Sequence, residues 1–206
     1  MPIYSVDTGQ GQLNILSVHV PKTGGTTISD FFQSAGFIQH FGTEHQAIRP
    51  LMLCPPQHYH YDILNQLFYI SSTDYSFAVV RDPLKRIISD YYWSISKSTL
   101  KIKFLDINEW VLFVFNEYSK NNFFLANHIR PQHEFVGPEI KRIFKYEEGL
   151  NNIIRTVLAD CGLTSSEEIV LPVSNKTKYP NELSISDSTI SLIREFYSQD
   201  YKLFNY

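Results

Sequence analysis

The chain contains VHVPKTGGTT at residues 18–27, where an apolar, β-branched run stops abruptly and a glycine-rich turn follows. Leu13 to Val20 is typical of a buried strand, and the threonines after the turn begin a predicted helix. Gly24 and Gly25 lack the Cβ atoms that would keep an oxyanion away from backbone N–H groups. Lys22 adds a full positive charge, and the first N–H groups of a helix have no intrahelical partner. The stretch therefore predicts a site for a phosphate or sulfate group.

The order of residues in this loop separates it from a Walker A loop. A Walker A motif places its lysine after the last glycine and before a serine or threonine, whereas Lys22 precedes both glycines. Taken alone, the loop is also compatible with an ordinary strand-to-helix turn that carries a solvated lysine.

A second stretch, FAVVRDPLKRIISDYY at residues 77–92, repeats the strand-to-helix pattern. Asp82 suits a helix N-cap followed by proline at the first helical position, so Arg81 is expected at the carboxyl end of a strand. Ser89 follows two helical turns later. Because open parallel sheets bind ligands at the carboxyl ends of their strands, we expect Arg81 to face the same crevice as Lys22.

Together the two stretches resemble the donor-binding elements of sulfotransferases that use 3′-phosphoadenosine 5′-phosphosulfate. KTGG at 22–25 is similar to the loop that holds the 5′-phosphosulfate, and the second stretch is similar to the element that binds the 3′-phosphate. The resemblance covers most of the chain and extends to carbohydrate sulfotransferases related to the heparan sulfate 2-O-sulfotransferases. The later matching stretches are HYHY at 58–61, Gln132, FKYE at 144–147, Asn175-Lys176 and residues 197–206.

The resemblance implies an α/β, P-loop-like, three-layer fold with a central, mainly parallel sheet flanked by helices. Alternation of strand and helix patterns independently favours a mainly parallel sheet covered on both faces. At 206 residues with 43% apolar side chains, the chain is expected to form a single sulfotransferase domain over residues 1–206.

The resemblance also implies a cofactor and its ligands. The donor is 3′-phosphoadenosine 5′-phosphosulfate, the product is adenosine 3′,5′-bisphosphate, and the acceptor is a hydroxyl group, expected to belong to a carbohydrate. Lys22 is expected to stabilise charge on the departing phosphate. The residues that the resemblance assigns to donor binding are Lys22, Thr23, Gly24, Gly25, Thr26, Thr27, Arg81, Ser89 and Lys176.

The predicted catalytic base is His60, with His58 second, because HYH resembles the catalytic histidine region of the 2-O-sulfotransferase branch. A histidine with a pKa near neutrality suits proton abstraction. Another branch uses a glutamate after the first helix, which leaves Glu44 as an alternative, and an ordinary surface or core histidine is a further possibility. No third ligand accompanies the histidine pair, so no metal is predicted. His19 is interpreted as a packed residue of the first strand.

Composition limits the partners. A net charge of −3 and a pI near 6.1 argue against bulk affinity for nucleic acid or acidic membranes. Lys97, Lys101 and Lys103 form a basic cluster that is compatible either with a solvated loop or with an acidic acceptor. The sequence shows no long apolar window or signal peptide, so no membrane anchor is predicted. Two cysteines, Cys54 and Cys161, are expected to be reduced thiols of a cytoplasmic protein.

Further segments complete the predicted fold. Polar residues at 127–137 are interpreted as too polar for the core and are placed on the acceptor side of the site, and residues 61–70 are compatible with helix or strand. The other predicted elements are a helix ended at Gly36, a strand at 37–41, a loop at 42–57, a helix at 83–96, a helix capped by Asp106, a strand at 143–146, a helix at 150–158, a strand at 169–173 and a helix from Asp187.

Two other functions remain open at this point. A kinase-like phosphotransferase would need Mg²⁺ ligands and a Walker lysine. A non-catalytic nucleotide-binding module would keep the two donor loops without turnover.

Overall fold

A computed structural model describes residues 2–41, 52–67, 69–97, 105–163, 171 and 183–206. The strands are β1 (Ile3–Asp7), β2 (Gln12–Val18), β3 (Ile38–His40), β4 (Tyr75–Val80) and β5 (Arg142–Lys145). The α-helices are α1 (Gly25–Ser34), α2 (Tyr61–Leu67), α3 (Pro83–Lys97), α4 (Ile107–Lys120), α5 (Leu150–Asp160), α6 (Asp187–Phe196) and α7 (Ser198–Phe204). Short 3-10 turns occur at Pro56–His58, Ile70–Ser72, Phe124–Asn127, Gln132–Phe135 and Tyr146–Glu148.

The five strands form one sheet in the order β3-β1-β2-β4-β5. β4 lies parallel to both β2 and β5, whereas β1 is antiparallel to β2 and β3. The sheet is therefore mixed rather than mainly parallel. The reason is β1, which the sequence patterns did not reveal: residues 8–11 reverse the chain through Gly9 and Gly11, too short a connection for a parallel crossover.

Alternate residues of the central strands face opposite layers, as the two-residue period of a strand requires. Ile15, Phe77 and Val79 pack on the side that carries α1 and α5. Leu16 and Ala78 pack on the other side with residues of α2 and the turn after residue 131. A third apolar cluster joins α3, α4 and α6. The prediction that helices flank the sheet is confirmed.

Local capping signals predicted the helix starts correctly. Oδ1 of Asp82 accepts the backbone N–H of Lys85 at 2.9 Å, which caps α3. Asp106 and Glu109 form the full capping box of α4. The single C-terminal helix that the sequence predicted is instead two, because the chain leaves helical geometry at Tyr197 (φ −99°, ψ 24°) before α7 begins.

The polar segment near residue 130 corrects another expectation, because it is buried. His128, Arg130 and Gln132 are each at most 6% exposed. Arg86, predicted within the 3′-phosphate pattern, is itself buried and donates to the backbone oxygens of His128 at 2.9 Å and Arg130 at 3.0 Å. Polar groups are tolerated in a core when they are hydrogen-bonded, and both Nη atoms of Arg86 are, whereas its buried Nε has no partner among the described residues.

Three predicted features lie outside the described residues: most of the loop at 42–57 with Glu44, most of the strand at 169–173, and Lys101 with Lys103. None of the helices in the described part of the chain combines the length and the apolar character that crossing a bilayer requires.

Candidate functional site

The loop between β2 and α1 forms one wall of a cleft. Lys22 and Gly24 both adopt positive φ, at 69° and 91°, so the chain turns sharply between strand and helix. Thr23 closes the turn, since its hydroxyl donates to the backbone oxygen of Val20 at 2.8 Å. Within the described residues, no side chain caps α1 at Gly24. The positive end of the α1 dipole is thus available to an anion.

Two glycines permit the close packing of this loop. A Cβ at Gly25 would overlap the ring of His19, and one at Gly24 would lie 2.7 Å from the side chain of Leu150. The structure therefore assigns these glycines a packing role, in addition to the backbone access that the sequence indicated.

The junction between β4 and α3 forms the facing wall. Arg81 follows β4 directly, and its Nη1 donates to the backbone oxygen of Lys22 at 3.3 Å. Its guanidinium carbon lies 4.6 Å from the centroid of the Tyr146 ring. The Nε atom of Arg81 is buried and has no hydrogen-bond partner among the described residues. A guanidinium N–H left without an acceptor is suited to a phosphate or sulfate oxygen.

The two junctions meet because β2 and β4 are parallel neighbours, so their carboxyl ends lie at one edge of the sheet. The cleft between them encloses about 210 Å³. Thr23 is not among the residues that line it, since its side chain is buried and its hydroxyl is engaged, and Lys176 lies outside the described residues. The predicted site residues that line the cleft are Lys22, Gly24, Gly25, Thr26, Thr27, His58, Arg81 and Ser89.

The surroundings of Lys22 affect the pKa of its ammonium group. Partial burial lowers the pKa of its ammonium group, the nearby Arg81 charge lowers it further, and Asp90 opposes both. Nζ lies 5.4 Å from the centroid of the Trp93 ring. Since desolvation and a neighbouring cation disfavour the charged ammonium, a bound anion between Lys22 and Arg81 would stabilise both cations.

Three histidines also line the cleft: His19, His58 and His128. The ring centroids of His19 and His58 are 5.2 Å apart, and those of His58 and His128 are 4.9 Å apart. The prediction that His19 lies inside the strand is wrong, because β2 ends at Val18. His19 packs closely against Gly25 and also faces the cleft. Burial lowers its pKa to about 3.

His58 has a defined tautomer. Its Nδ1 lies 3.0 Å from the carbonyl oxygen of Ala126, which can only accept, so Nδ1 carries the proton. Its Nε2 accepts from the side-chain amide of Gln57 at 3.2 Å. Burial, followed by the neighbouring His128 and His19, holds the pKa of His58 well below its usual value. The ring is therefore neutral near pH 7, and its Nε2 lone pair is paired with the amide of Gln57, which also lines the cleft.

A pair that the sequence analysis missed lies beside these rings. Nδ1 of His128 and Oδ1 of Asp90 are 2.7 Å apart, and both side chains are almost fully buried. The Trp93 ring stacks on His128 at 4.5 Å between centroids. The partners are 38 residues apart in the chain, so no local pattern could have joined them.

His60 occupies a different environment from His58. It is 7% exposed, its Nδ1 is 3.4 Å from the side-chain nitrogen of Asn127, and its ring contacts Phe123. Burial, with a smaller effect of Arg130, lowers its pKa to about 4. It is not among the residues that line the cleft. Its assignment as base stays a prediction.

Other side chains near the cleft are placed as follows. Trp93 lines the cleft, whereas Tyr91 is buried and donates to the backbone oxygen of Leu105. Gln132, in the segment that the sequence placed on the acceptor side, instead bonds the backbone of Arg81. Across the described ranges, no three His, Cys, Asp or Glu side chains are grouped to hold a metal ion.

The buried histidines predict an acid-sensitive fold. The pKa of His60 is lowered from 6.5 to about 4, so between these values the unfolded chain binds more protons than the folded one. The stability that neutral His60 contributes is complete above pH 6.5 and is lost as the pH falls towards about 4. The slope approaches about 1.4 kcal/mol per pH unit for each such histidine.

Urea unfolding of wild type and His60→Gln at pH 7 and pH 5 measures this effect, with the exposed His40→Gln as the matched control. We expect a smaller loss of unfolding free energy at pH 5 in His60→Gln than in the other two proteins. Equal losses in all three would contradict the assignment. His133 acts in the opposite direction, because its bond to Asp200 raises its pKa and contributes stability that disappears as the pH rises.

Comparison with known proteins gives one match. A family model described as the sulfotransferase family matches residues 9–206. No curated protein and no solved structure matches the chain.

Proposed function

Because the chain belongs to the sulfotransferase family, we propose that it transfers a sulfuryl group from 3′-phosphoadenosine 5′-phosphosulfate to a hydroxyl group of a carbohydrate. The observation that carries this proposal is the meeting of Lys22 and Arg81 in one cleft, each just before the N-terminus of a helix. Two cationic side chains, each beside the N-terminus of a helix, suit a ligand that carries more than one anionic group. The strand-turn-helix at Lys22 also supports the P-loop-like arrangement that the resemblance implies.

The residues of the cleft fit the donor. The 5′-phosphosulfate would lie on the N-terminal turn of α1, with the backbone of residues 23–27 and the Lys22 ammonium as donors of hydrogen bonds. The 3′-phosphate would lie at Arg81 and Ser89. The unpartnered Nε of Arg81 supports this placement, because a buried guanidinium N–H requires an acceptor. Lys176, outside the described residues, stays a predicted contact.

In the proposed reaction, the acceptor oxygen forms a bond to sulfur as the bond between sulfur and the bridging phosphate oxygen breaks. A histidine takes the acceptor proton, and adenosine 3′,5′-bisphosphate leaves. Of the predicted bases, we favour His58, because it lines the cleft with Nε2 unprotonated. Lys22 stabilises the charge that develops on the leaving phosphate.

Thermal unfolding with two nucleotides tests the donor site. Adenosine 3′,5′-bisphosphate is expected to raise the Tm well above the value with the same concentration of AMP, because only the bisphosphate engages Arg81 and Ser89. Stabilisation grows with the ratio of ligand concentration to Kd, so a tenfold difference in affinity adds about 1.4 kcal/mol at saturation. Equal Tm shifts would refute the assignment of Arg81 to the 3′-phosphate.

Product analysis separates the proposed enzyme from its alternatives. Sulfated product from the phosphosulfate donor, across a panel of desulfated polysaccharides, supports the proposal. Transfer that depends on ATP and Mg²⁺ would support a phosphotransferase, and donor binding without product on any acceptor would support a nucleotide-binding module. A cytoplasmic location rests on cysteine usage alone and stays a prediction.

A further inference from the structure

Gln132 clamps the backbone of Arg81. Its Oε1 accepts the backbone N–H of Arg81 at 2.9 Å, and its Nε2 donates to the backbone oxygen of the same residue at 2.7 Å. Gln132 is fully buried. The side-chain amide therefore pairs both backbone groups of Arg81 at the point where β4 has just ended.

The clamp is itself anchored by the C-terminal helix α7. The backbone N–H of Gln132 donates to Oδ2 of Asp200 at 2.8 Å. Oδ1 of Asp200 accepts the backbone N–H of His133 at 2.9 Å and contacts its ring Nδ1 at 2.7 Å. Asp200 is fully buried, and both of its carboxylate oxygens are used. Charge-assisted bonds of this kind hold the turn at residues 132–135 rigidly.

The direction of the Arg81 side chain depends on this backbone. Its guanidinium lies over Tyr146 and donates through Nη1 to Lys22, while Nε has no partner among the described residues. Small rotations of the Arg81 peptide groups would move the guanidinium by several times the backbone displacement. Residues that hold a ligand-binding group in place commonly affect affinity without touching the ligand.

We propose that Gln132, anchored by Asp200, is the positioning residue that directs Arg81 at the 3′-phosphate of the donor. This inference rests on the proposed function, since it takes the 3′-phosphate as the group that Arg81 binds. It assigns Gln132 to donor selectivity, through Arg81, and not to acceptor contact.

The test is the ratio of the Kd of AMP to the Kd of adenosine 3′,5′-bisphosphate, measured by calorimetry. This ratio isolates the contribution of the 3′-phosphate. In Gln132→Met the ratio is expected to fall about tenfold, because the charge-assisted contact between Arg81 and the 3′-phosphate is weakened. The Kd of AMP is expected to change less than about twofold. Gln132→Asn, which keeps the amide but is one methylene shorter, is expected to lower the ratio in the same direction and decides the question if Gln132→Met does not fold.

Tyr197→Phe is the matched control. It removes another buried hydrogen bond between the C-terminal helices and the same segment, from the Tyr197 hydroxyl to the backbone oxygen of Ile129 at 2.8 Å, and leaves the clamp intact. It is expected to lower the Tm while keeping the wild-type ratio. In an Arg81→Ala background, Gln132→Met is expected to change the ratio by less than about twofold, because coupled residues do not have additive effects.

An unchanged ratio in folded Gln132→Asn or Gln132→Met would overturn the proposed role of Gln132. An equal fall of the ratio in Tyr197→Phe would also overturn it, because any destabilisation of this segment would then be enough to weaken binding of the 3′-phosphate. A wild-type ratio near one would instead refute the placement of the 3′-phosphate at Arg81, so the two failures are distinguishable.

Discussion

Replacing Lys22 with alanine is expected to lower turnover by about 10² to 10³. The ammonium group lies in a partly desolvated cleft next to Arg81, so its interaction strengthens as negative charge develops on the leaving phosphate oxygen. Lys22 already has positive φ, and alanine meets the same steric cost there, so the loop conformation is expected to persist. The effect is measured as the rate of adenosine 3′,5′-bisphosphate formation. The assay contains the donor and an acceptor that the wild-type protein sulfates.

Lys85→Ala is the control for this substitution. Lys85 lies in the first turn of α3, close to Arg81 in the chain, but its side chain is exposed and does not line the cleft. Turnover by Lys85→Ala is expected to stay within about twofold of wild type. Near-normal kcat with a raised KM in Lys22→Ala would show that Lys22 contributes to donor binding alone and would remove it from the chemical step.

Replacing His58 with alanine is expected to lower turnover by about 10² to 10⁴, the usual contribution of a general base. The bond from Nδ1 to Ala126 leaves Nε2 of His58 unprotonated, and His58 lines the cleft. The depressed pKa of His58 weakens it as a base, but a bound anionic donor favours the imidazolium and opposes this effect. The Kd of adenosine 3′,5′-bisphosphate is measured in parallel and is expected to change little.

Companion variants show whether another histidine is the base. His60→Ala is expected to retain more activity than His58→Ala, because His60 does not line the cleft. A larger loss in His60→Ala would restore the assignment made from sequence. Another outcome is a loss of turnover in His128→Ala and Asp90→Asn with normal turnover in His58→Ala. It would assign the base to His128, paired with Asp90, whose carboxylate can stabilise an imidazolium.

Local sequence patterns predicted much of the fold and the two turns that line the cleft. The caps at Asp82 and Asp106, the stop of α1 at Gly36, and the turns before α1 and α3 all depend on residues within a few positions of one another. Such signals involve backbone geometry and short hydrogen bonds, which the nearest residues determine. The approximate places of β4, α3, α4 and α5 followed from the same short-range chemistry.

Other features depend on contacts between distant parts of the chain. β1 enters the sheet through pairing with β2 and β3, and its pattern alone did not reveal it. The buried polar segment after residue 126 was misjudged, because polarity predicts exposure unless partners are known. Those partners, Asp90 for His128 and Asp200 for Gln132, lie 38 and 68 residues away.

The amino-acid order alone therefore determined that two strand-to-helix turns carry Lys22 and Arg81, since each turn is specified by its own residues. Packing of the helices around the sheet decided which histidines reach the cleft, how Arg81 is held and why Asp90 is buried. The physical reason is that burial and long-range hydrogen bonds arise only when separate elements come together, whereas a cap or a turn is complete within a single short segment.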